Sequence, residues 1–225
     1  MAHTPITHII YDVDGLLLDT ECFYTEVTQS IVAPYGKTFN WSYKQHMIGR
    51  AALDSARYLV EALDLPITPQ EYLQQREALL HEQFPKAEPL PGAKRLTEHL
   101  QAHNIPQAVA TSSSTALFNL KTQRHQDWFK LFNCIVTGDD PQVQRGKPAP
   151  DIFLIAAQRL GAQPQQCLVF EDAPSGMQAA LAAGMSVIVV PDPNMDRGVY
   201  HQAQQILTTL EAFQPKDWGL PEWPG

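Results

Sequence analysis

Two acids set one residue apart are the first candidates for chemistry in this chain. Asp12 and Asp14 sit in the stretch Ile9-Ile10-Tyr11-Asp12-Val13-Asp14-Gly15-Leu16-Leu17-Leu18-Asp19-Thr20. The apolar residues before them read as a buried strand. Residues i and i+2 of a strand point the same way, so a regular strand would place both carboxyls on one side, and a turn at Gly15 would crowd them further. Adjacent carboxylates repel unless a cation or a shared proton lies between them. Such a strand tip suits a metal site or an acid/base pair. Taken alone, a solvated strand end running into a turn fits it equally well.

Three further stretches carry groups of the kinds that bind anions or cations. Ala110-Thr111-Ser112-Ser113-Ser114 ends an apolar run; its hydroxyls and the amides opening the next helix could donate to a phosphoryl oxygen, or a serine could simply cap that helix. Gly146-Lys147-Pro148-Ala149-Pro150-Asp151 holds a lysine between a glycine and prolines that restrain its backbone. A surface lysine at a helix start is the plainer reading. It is not a phosphate-binding P-loop, because Pro141 stands where that loop needs glycine and Pro148 where it needs Ser or Thr. Val169-Phe170-Glu171-Asp172-Ala173-Pro174-Ser175-Gly176 is again an apolar strand ending in acids. Magnesium takes carboxylate oxygens and keeps waters, though acids also decorate helix N-termini for the dipole alone. His99 and His103, at i and i+4 of a predicted helix, lack a third ligand nearby and read as a solvated face. Arg50, after Ile48-Gly49, could reach a substrate hydroxyl or phosphate, or form a surface ion pair of little consequence.

The elements that must position these groups follow from periodicity. His8–Tyr11 is a strand. Phe23, Val27, Ile31 and Val32 lie at helical spacing, 51–63 is a second amphipathic helix, and Thr68-Pro69-Gln70-Glu71 is a capping box with proline at the first helical position of a third helix running to about Phe84. Pro85, Pro89, Pro91 and Gly92 mark a hinge. Beyond it, strands at 107–111, 134–138, 167–170 and 187–190 alternate with helices at 116–124, 151–160 and 176–183, and the tail around Trp218-Gly219-Leu220-Pro221 is irregular and partly packed. Apolar strands alternating with helices predict a parallel sheet covered on both faces. The expectation is an α/β fold with a Rossmann-like open parallel sheet. Residues 1–18 and 89–225 form its core, and 19–88 form an all-helical cap inserted after the first strand. Four strand ends of such a sheet then all carry polar groups at the carboxyl side, where open sheets bind ligands.

Composition narrows the classes. The chain has 225 residues, a hydrophobic fraction of 44% and a formal net charge of −8, enough for one good core or a core with a small second domain. With no basic block, nucleic-acid binding is disfavoured. Three widely spaced cysteines, Cys22, Cys134 and Cys167, argue against a disulfide framework and for packing roles in a reducing compartment. No apolar run approaches the roughly 20 residues of a membrane span, and the N-terminus lacks the regions of a signal peptide. The expectation is a cytoplasmic protein without membrane contact, monomeric unless shown otherwise.

Asp12-Val13-Asp14-Gly15 with Asp19-Thr20, then Thr111, Lys147 and Asp172 in order, resemble the four motifs of the haloacid dehalogenase (HAD) superfamily of phosphohydrolases across essentially the whole chain. That resemblance implies a Mg²⁺-dependent phosphomonoester hydrolase. Asp12 would be the nucleophile forming an aspartyl-phosphate, and Asp14 the acid/base, starting protonated. Thr111 would hold the phosphoryl oxygens, with Ser112 a less favoured registration, and Lys147 would cancel charge. Asp12, Asp172 and the backbone carbonyl of Asp14 would bind the metal, with Glu171 direct or through water. Dehalogenating relatives lack the second acid, and ion-pump relatives carry lysine and threonine after the nucleophile. The stretches 120–125, 138–141 and 218–221 resemble the branch containing pseudouridine-5′-phosphatases and glycerol-3-phosphate phosphatases, and Phe23–Val27 with Lys37–Ser42 lean toward the latter. The implied partner is a small phosphorylated metabolite. A mutase of the β-phosphoglucomutase type and a non-catalytic binding protein are the alternatives.

Overall fold

A computed structural model describes residues 5–48 and 52–224. Its elements in chain order are β1 (His8–Tyr11), α1 (Glu21–Val32), α2 (Trp41–Lys44), α3 (Ala52–Leu63), α4 (Pro69–Gln83), α5 (Ala93–Ala102), β2 (Gln107–Ala110), α6 (Thr115–Thr122), α7 (Gln126–Phe129), β3 (Cys134–Val136), α8 (Asp151–Leu160), β4 (Cys167–Glu171), α9 (Pro174–Ala182), β5 (Ser186–Val189) and β6 (Gln205–Ile206). The six strands form one sheet in the order β3-β2-β1-β4-β5-β6, every pair parallel. From β1 the chain winds outward through β2 and β3, then returns to β4 on the other side of β1. The direction reverses between β1 and β4, and such a switch point opens a crevice at the carboxyl ends of the strands.

Alternation along the strands divides the core. Ile9, Tyr11, Val109, Leu168 and Phe170 face one layer with Leu96 and Leu100 of α5, Phe118 of α6, and Phe213 and Leu220 of the tail. Ile10, Ala108, Val169 and Val187 face the other, with Phe153 of α8 and Met177 of α9. A third cluster belongs to the helices between β1 and α5, where Val27, Ile31, Leu59, Tyr72, Leu80 and Phe84 pack together. No strand lies among the described residues between 21 and 83. The capping box that starts α4 is formed in both halves, with Thr68 Oγ1 accepting from the Glu71 amide at 3.1 Å and the Glu71 carboxylate accepting from the Thr68 amide at 2.7 Å.

Three elements escaped the periodicity. β6 spans two residues and α2 and α7 four each, too short for any repeat to declare itself.

Candidate active site

The β1–β4 ladder does not stop with the strand. Tyr11 is opposite Phe170, and the Asp12 amide still donates to the Phe170 carbonyl at 3.0 Å. Register therefore delivers Asp12 beside Glu171 and Asp172. One carboxylate oxygen from each of these three residues lies within 4.8 Å of the others.

Lys147 arrives from the loop before α8. Its Nζ donates to Asp12 Oδ1 and Glu171 Oε1, both at 2.6 Å, and to the Ala110 carbonyl at the end of β2 at 3.0 Å. The ammonium also lies 5.0 Å from the ring centroid of Phe153. Glu171 is fixed on its other side, because Oε2 accepts from the amides of Asp172 at 3.0 Å and Ala173 at 3.2 Å. Gly15 adopts φ +75°, and a Cβ there would come within 2.5 Å of Asp172 Oδ2. A left-handed backbone free of side chain lets the acid-bearing turn pass directly over Asp172.

One ammonium among three acids, Asp12 and Glu171 buried and Asp172 half-buried, leaves an excess of negative charge. Burial, then repulsion from Glu171 and Asp14, outweighs the attraction of Lys147 and pushes the Asp12 carboxyl up to about 7. Burial, followed by Glu171, Asp12 and Glu21, holds the Asp172 carboxyl well above its usual range. Burial opposes the charge on Lys147, but Asp12 and Glu171 more than compensate and raise its pKa. A trio of oxygen ligands short of positive charge fits a hard divalent cation.

Asp14 belongs to a second network. The turn after β1, in which the Val13 carbonyl accepts from the amides of Leu16, Leu17 and Leu18, sends its side chain elsewhere. Asp14 Oδ1 accepts from Lys121 Nζ at 2.6 Å and Thr20 Oγ1 at 2.7 Å, and Oδ2 accepts from Ser113 Oγ at 2.9 Å. Asp12 and Asp14 thus answer to different lysines rather than sharing one cation or proton. Burial pushes the Asp14 carboxyl up, but the charge of Lys121 and the three hydrogen bonds prevail and hold it below its usual value. The expectation that Asp14 begins protonated does not fit this arrangement: donors surround both oxygens, and they favour the carboxylate.

The remaining candidates fall at different distances from these networks. Thr111 is fully buried at the end of β2, and its hydroxyl accepts from the Ser113 amide at 3.1 Å. Ser112 is exposed, with its backbone packed against Gly138; of the serine run it is Ser113 that reaches Asp14. Arg50 lies outside the described residues. His99 is engaged in packing: its Nε2–H donates to the Pro221 carbonyl at 2.9 Å, and its ring packs on His103 and Trp223.

Lys121 was missed, although its position carried a signal. Phe118, Lys121 and Thr122, at i, i+3 and i+4 of α6, are all buried, so the lysine falls on the inward face of its helix. Glu21 and Lys44 were missed too. Lys44 Nζ lies 3.2 Å from Glu21 Oε2 and 3.8 Å from Asp192 Oδ2, tying α2 to the start of α1 and to the loop after β5.

A family model described as haloacid dehalogenase-like hydrolase matches residues 9–190. The chain belongs to this family. It shares 50% identity over 221 residues with "(DL)-glycerol-3-phosphatase 2" of Arabidopsis thaliana, covering 96% of this chain and 92% of that one. It shares 45% over 219 residues with a Drosophila melanogaster protein named "Probable pseudouridine-5'-phosphatase", covering 96% and 95%. Among solved structures, a HAD family hydrolase from Deinococcus radiodurans R1 with bound phosphate and sodium superposes with a TM-score of 0.81 at 26% identity, covering 97% of this chain and 99% of that one. This HAD chain is accordingly an enzyme of the phosphatase kind. None of its described helices is long and apolar enough to cross a membrane.

Proposed function

We propose that the chain is a Mg²⁺-dependent phosphomonoester hydrolase working through an aspartyl-phosphate on Asp12. The observation that carries this reading is the shared grip of Lys147 on Asp12 and Glu171, 2.6 Å from each, beside Asp172. Asp12 and Asp172, with the backbone carbonyl of Asp14, would hold the metal; Glu171, with both oxygens engaged, would chiefly anchor Lys147. The ion, when bound, supplies the positive charge that lets a phosphate dianion approach a carboxylate.

Asp12 attacks phosphorus and expels the alcohol as the P–O bond to it breaks, and water then hydrolyses the resulting acyl phosphate to free Asp12 and phosphate, which splits one difficult displacement into two easier ones. Lys147 stabilises charge on the transferring group. Thr111 and the amides at the start of α6 receive phosphoryl oxygens. Asp14 exchanges protons with the leaving alkoxide and with the attacking water. Held as a carboxylate by Lys121, Thr20 and Ser113, it is in the form that accepts a proton from water; for the first half-reaction it must take one up.

The substrate is a small polyol or nucleoside phosphate, glycerol 3-phosphate or pseudouridine 5′-phosphate being the two that the relatives' names suggest. Residues 19–88 act as a cap over the carboxyl edge of the sheet, excluding water and contacting the leaving group. A cavity of about 350 Å³ lined by Thr25, Phe39, Asn40, Trp41, Lys44 and Asp192 lies where the helices meet the loop after β5 and is of a size to admit such a group.

The test is a panel of phosphoesters with Mg²⁺, reading inorganic phosphate, with glycerol 3-phosphate, pseudouridine 5′-phosphate and a sugar 1-phosphate primed by its bisphosphate among them. Phosphate release supports the hydrolase. Isomerisation of the sugar phosphate without release would assign a mutase, and inactivity throughout would leave a binding protein.

A further inference from the structure

The segment Leu120–His125, outside the motif residues, makes buried contacts with this site. Lys121 buries its whole side chain. Its ammonium donates to Asp14 Oδ1 at 2.6 Å and to Ser113 Oγ at 2.8 Å, and lies 4.3 Å from the ring centroid of Phe84 and 5.8 Å from that of Tyr24. Taking an ammonium out of water is costly unless close partners compensate. Nothing in the packing of α6 requires a charge here, since Phe118 already joins the sheet layer and Leu117 and Leu120 the helical cluster.

The rest of the segment shows where Lys121 stands. Arg124 pairs with Glu88 at 2.9 Å, and His125 Nε2 lies 2.7 Å from the Ala87 carbonyl. The Asp19 amide in turn donates to the Glu88 carbonyl at 2.9 Å. The segment just after α6 therefore grips the returning crossing, which in turn holds the departing one through the Glu88 carbonyl. Lys121 occupies the point at which both crossings meet the side chain of Asp14.

We propose that Lys121 is a positioning residue for Asp14. Together with Thr20 and Ser113 it fixes where the carboxylate lies, and through Phe84 it makes that place depend on the returning crossing at 84–88. The proposal rests on the reading of Asp14 as the group that exchanges protons with substrate and water. A purely structural ion pair would have no such dependence.

A double-mutant cycle separates the two. The probe is the alkyl phosphomonoester that the wild-type chain hydrolyses fastest with Mg²⁺. Lys121→Met should lower kcat about 10- to 100-fold, the loss expected of a displaced reacting group, with KM altered less than about 3-fold and the melt still cooperative. In an Asp14→Asn background the same substitution should change kcat by less than about 2-fold, because groups that act as one unit are not additive. Equal losses in both backgrounds, a change in KM alone, or wild-type kcat in Lys121→Met would each overturn the proposal. If Lys121→Met does not fold, Lys121→Gln, which keeps a donor and the stem, is read in the same cycle. Loss of folding in both would assign the ammonium to stability and likewise overturn it. Wild-type kcat in Asp14→Asn alone would instead remove the proton-exchange reading on which it rests.

Discussion

Gly176 and Glu171 are in such close apposition that a Cβ on the glycine would overlap the glutamate carboxyl. The first turn of α9 thereby closes over an acid that Lys147 and two backbone amides already hold. Gly176→Ala should force the carboxylate out of this cradle and release Lys147 from one of its two anchors. The expected result is a fall in kcat of about 100-fold, since small misplacements of a reacting group cost that much. Loss of the buried contacts should also cost about 1–3 kcal/mol of stability. Steady-state kinetics and denaturant melts check both.

Asp12→Asn should abolish turnover. Removing a covalent nucleophile from an enzyme costs on the order of 10⁴-fold or more in kcat. The fold should persist, because the asparagine keeps the shape and the backbone amide bond to Phe170. Circular dichroism and phosphate release check the two halves of the prediction. Near-normal hydrolysis would remove Asp12 as nucleophile.

The same acids give a pH signature. The Asp12 carboxyl rises from 3.8 to about 7 in the fold, and Asp172 is also raised. A carboxyl whose folded pKa is raised favours the folded state at low pH, and that contribution is lost as pH climbs through the folded value. In chelator the protein should lose stability between pH 4 and pH 7 from this source. Mg²⁺ should restore it, by about 2.7 kcal/mol when present at 100 times its dissociation constant. Because the ligands must be deprotonated to bind, the rise in Tm with Mg²⁺ should be larger at pH 8 than at pH 5.5. Thermal melts with and without chelator at the two values check it; an equal shift at both would contradict the assignment.

Thiol reagents should leave activity intact. Burial, then Asp19, pushes the Cys22 thiol up to about 11; burial does the same to Cys167 and raises Cys134. The thiolate is the reactive form, so iodoacetamide at pH 8 should label the native chain slowly and spare phosphate release. Mass spectrometry of the labelled chain beside its activity checks this.

Much of this architecture is legible in the sequence because short-range physics repeats. The strand His8–Tyr11, the helix stopped at Gly161 and the capping box at Thr68 announce themselves through apolar runs, a left-handed glycine and a reciprocal pair of polar groups. The grouping of Asp12 with the acids at the end of β4 follows once these strands are read as parallel neighbours, whereas Lys147 reaches them from the loop before α8. The separation of Asp14 from Asp12 was not legible. It depends on a turn in which one carbonyl accepts three amides and on Lys121, a residue 107 positions away. Spacing along a chain says nothing about which of two lysines an acid will face. Ser113 was hidden for a related reason, since three consecutive serines look alike until the backbone aims one of them.

The β1–β4 ladder lies in the middle of a six-stranded sheet, with two further strands on either side. Local openings of a protein start where few buried contacts hold the backbone, which in this sheet means its outer strands, β3 and β6. Fraying at those margins leaves the acids of the two central strands side by side. Amides of Ile10, Tyr11 and Val169 should thus be among the slowest to exchange with deuterated solvent, so that the juxtaposition which concentrates the negative charge is surrendered only when the whole molecule comes apart.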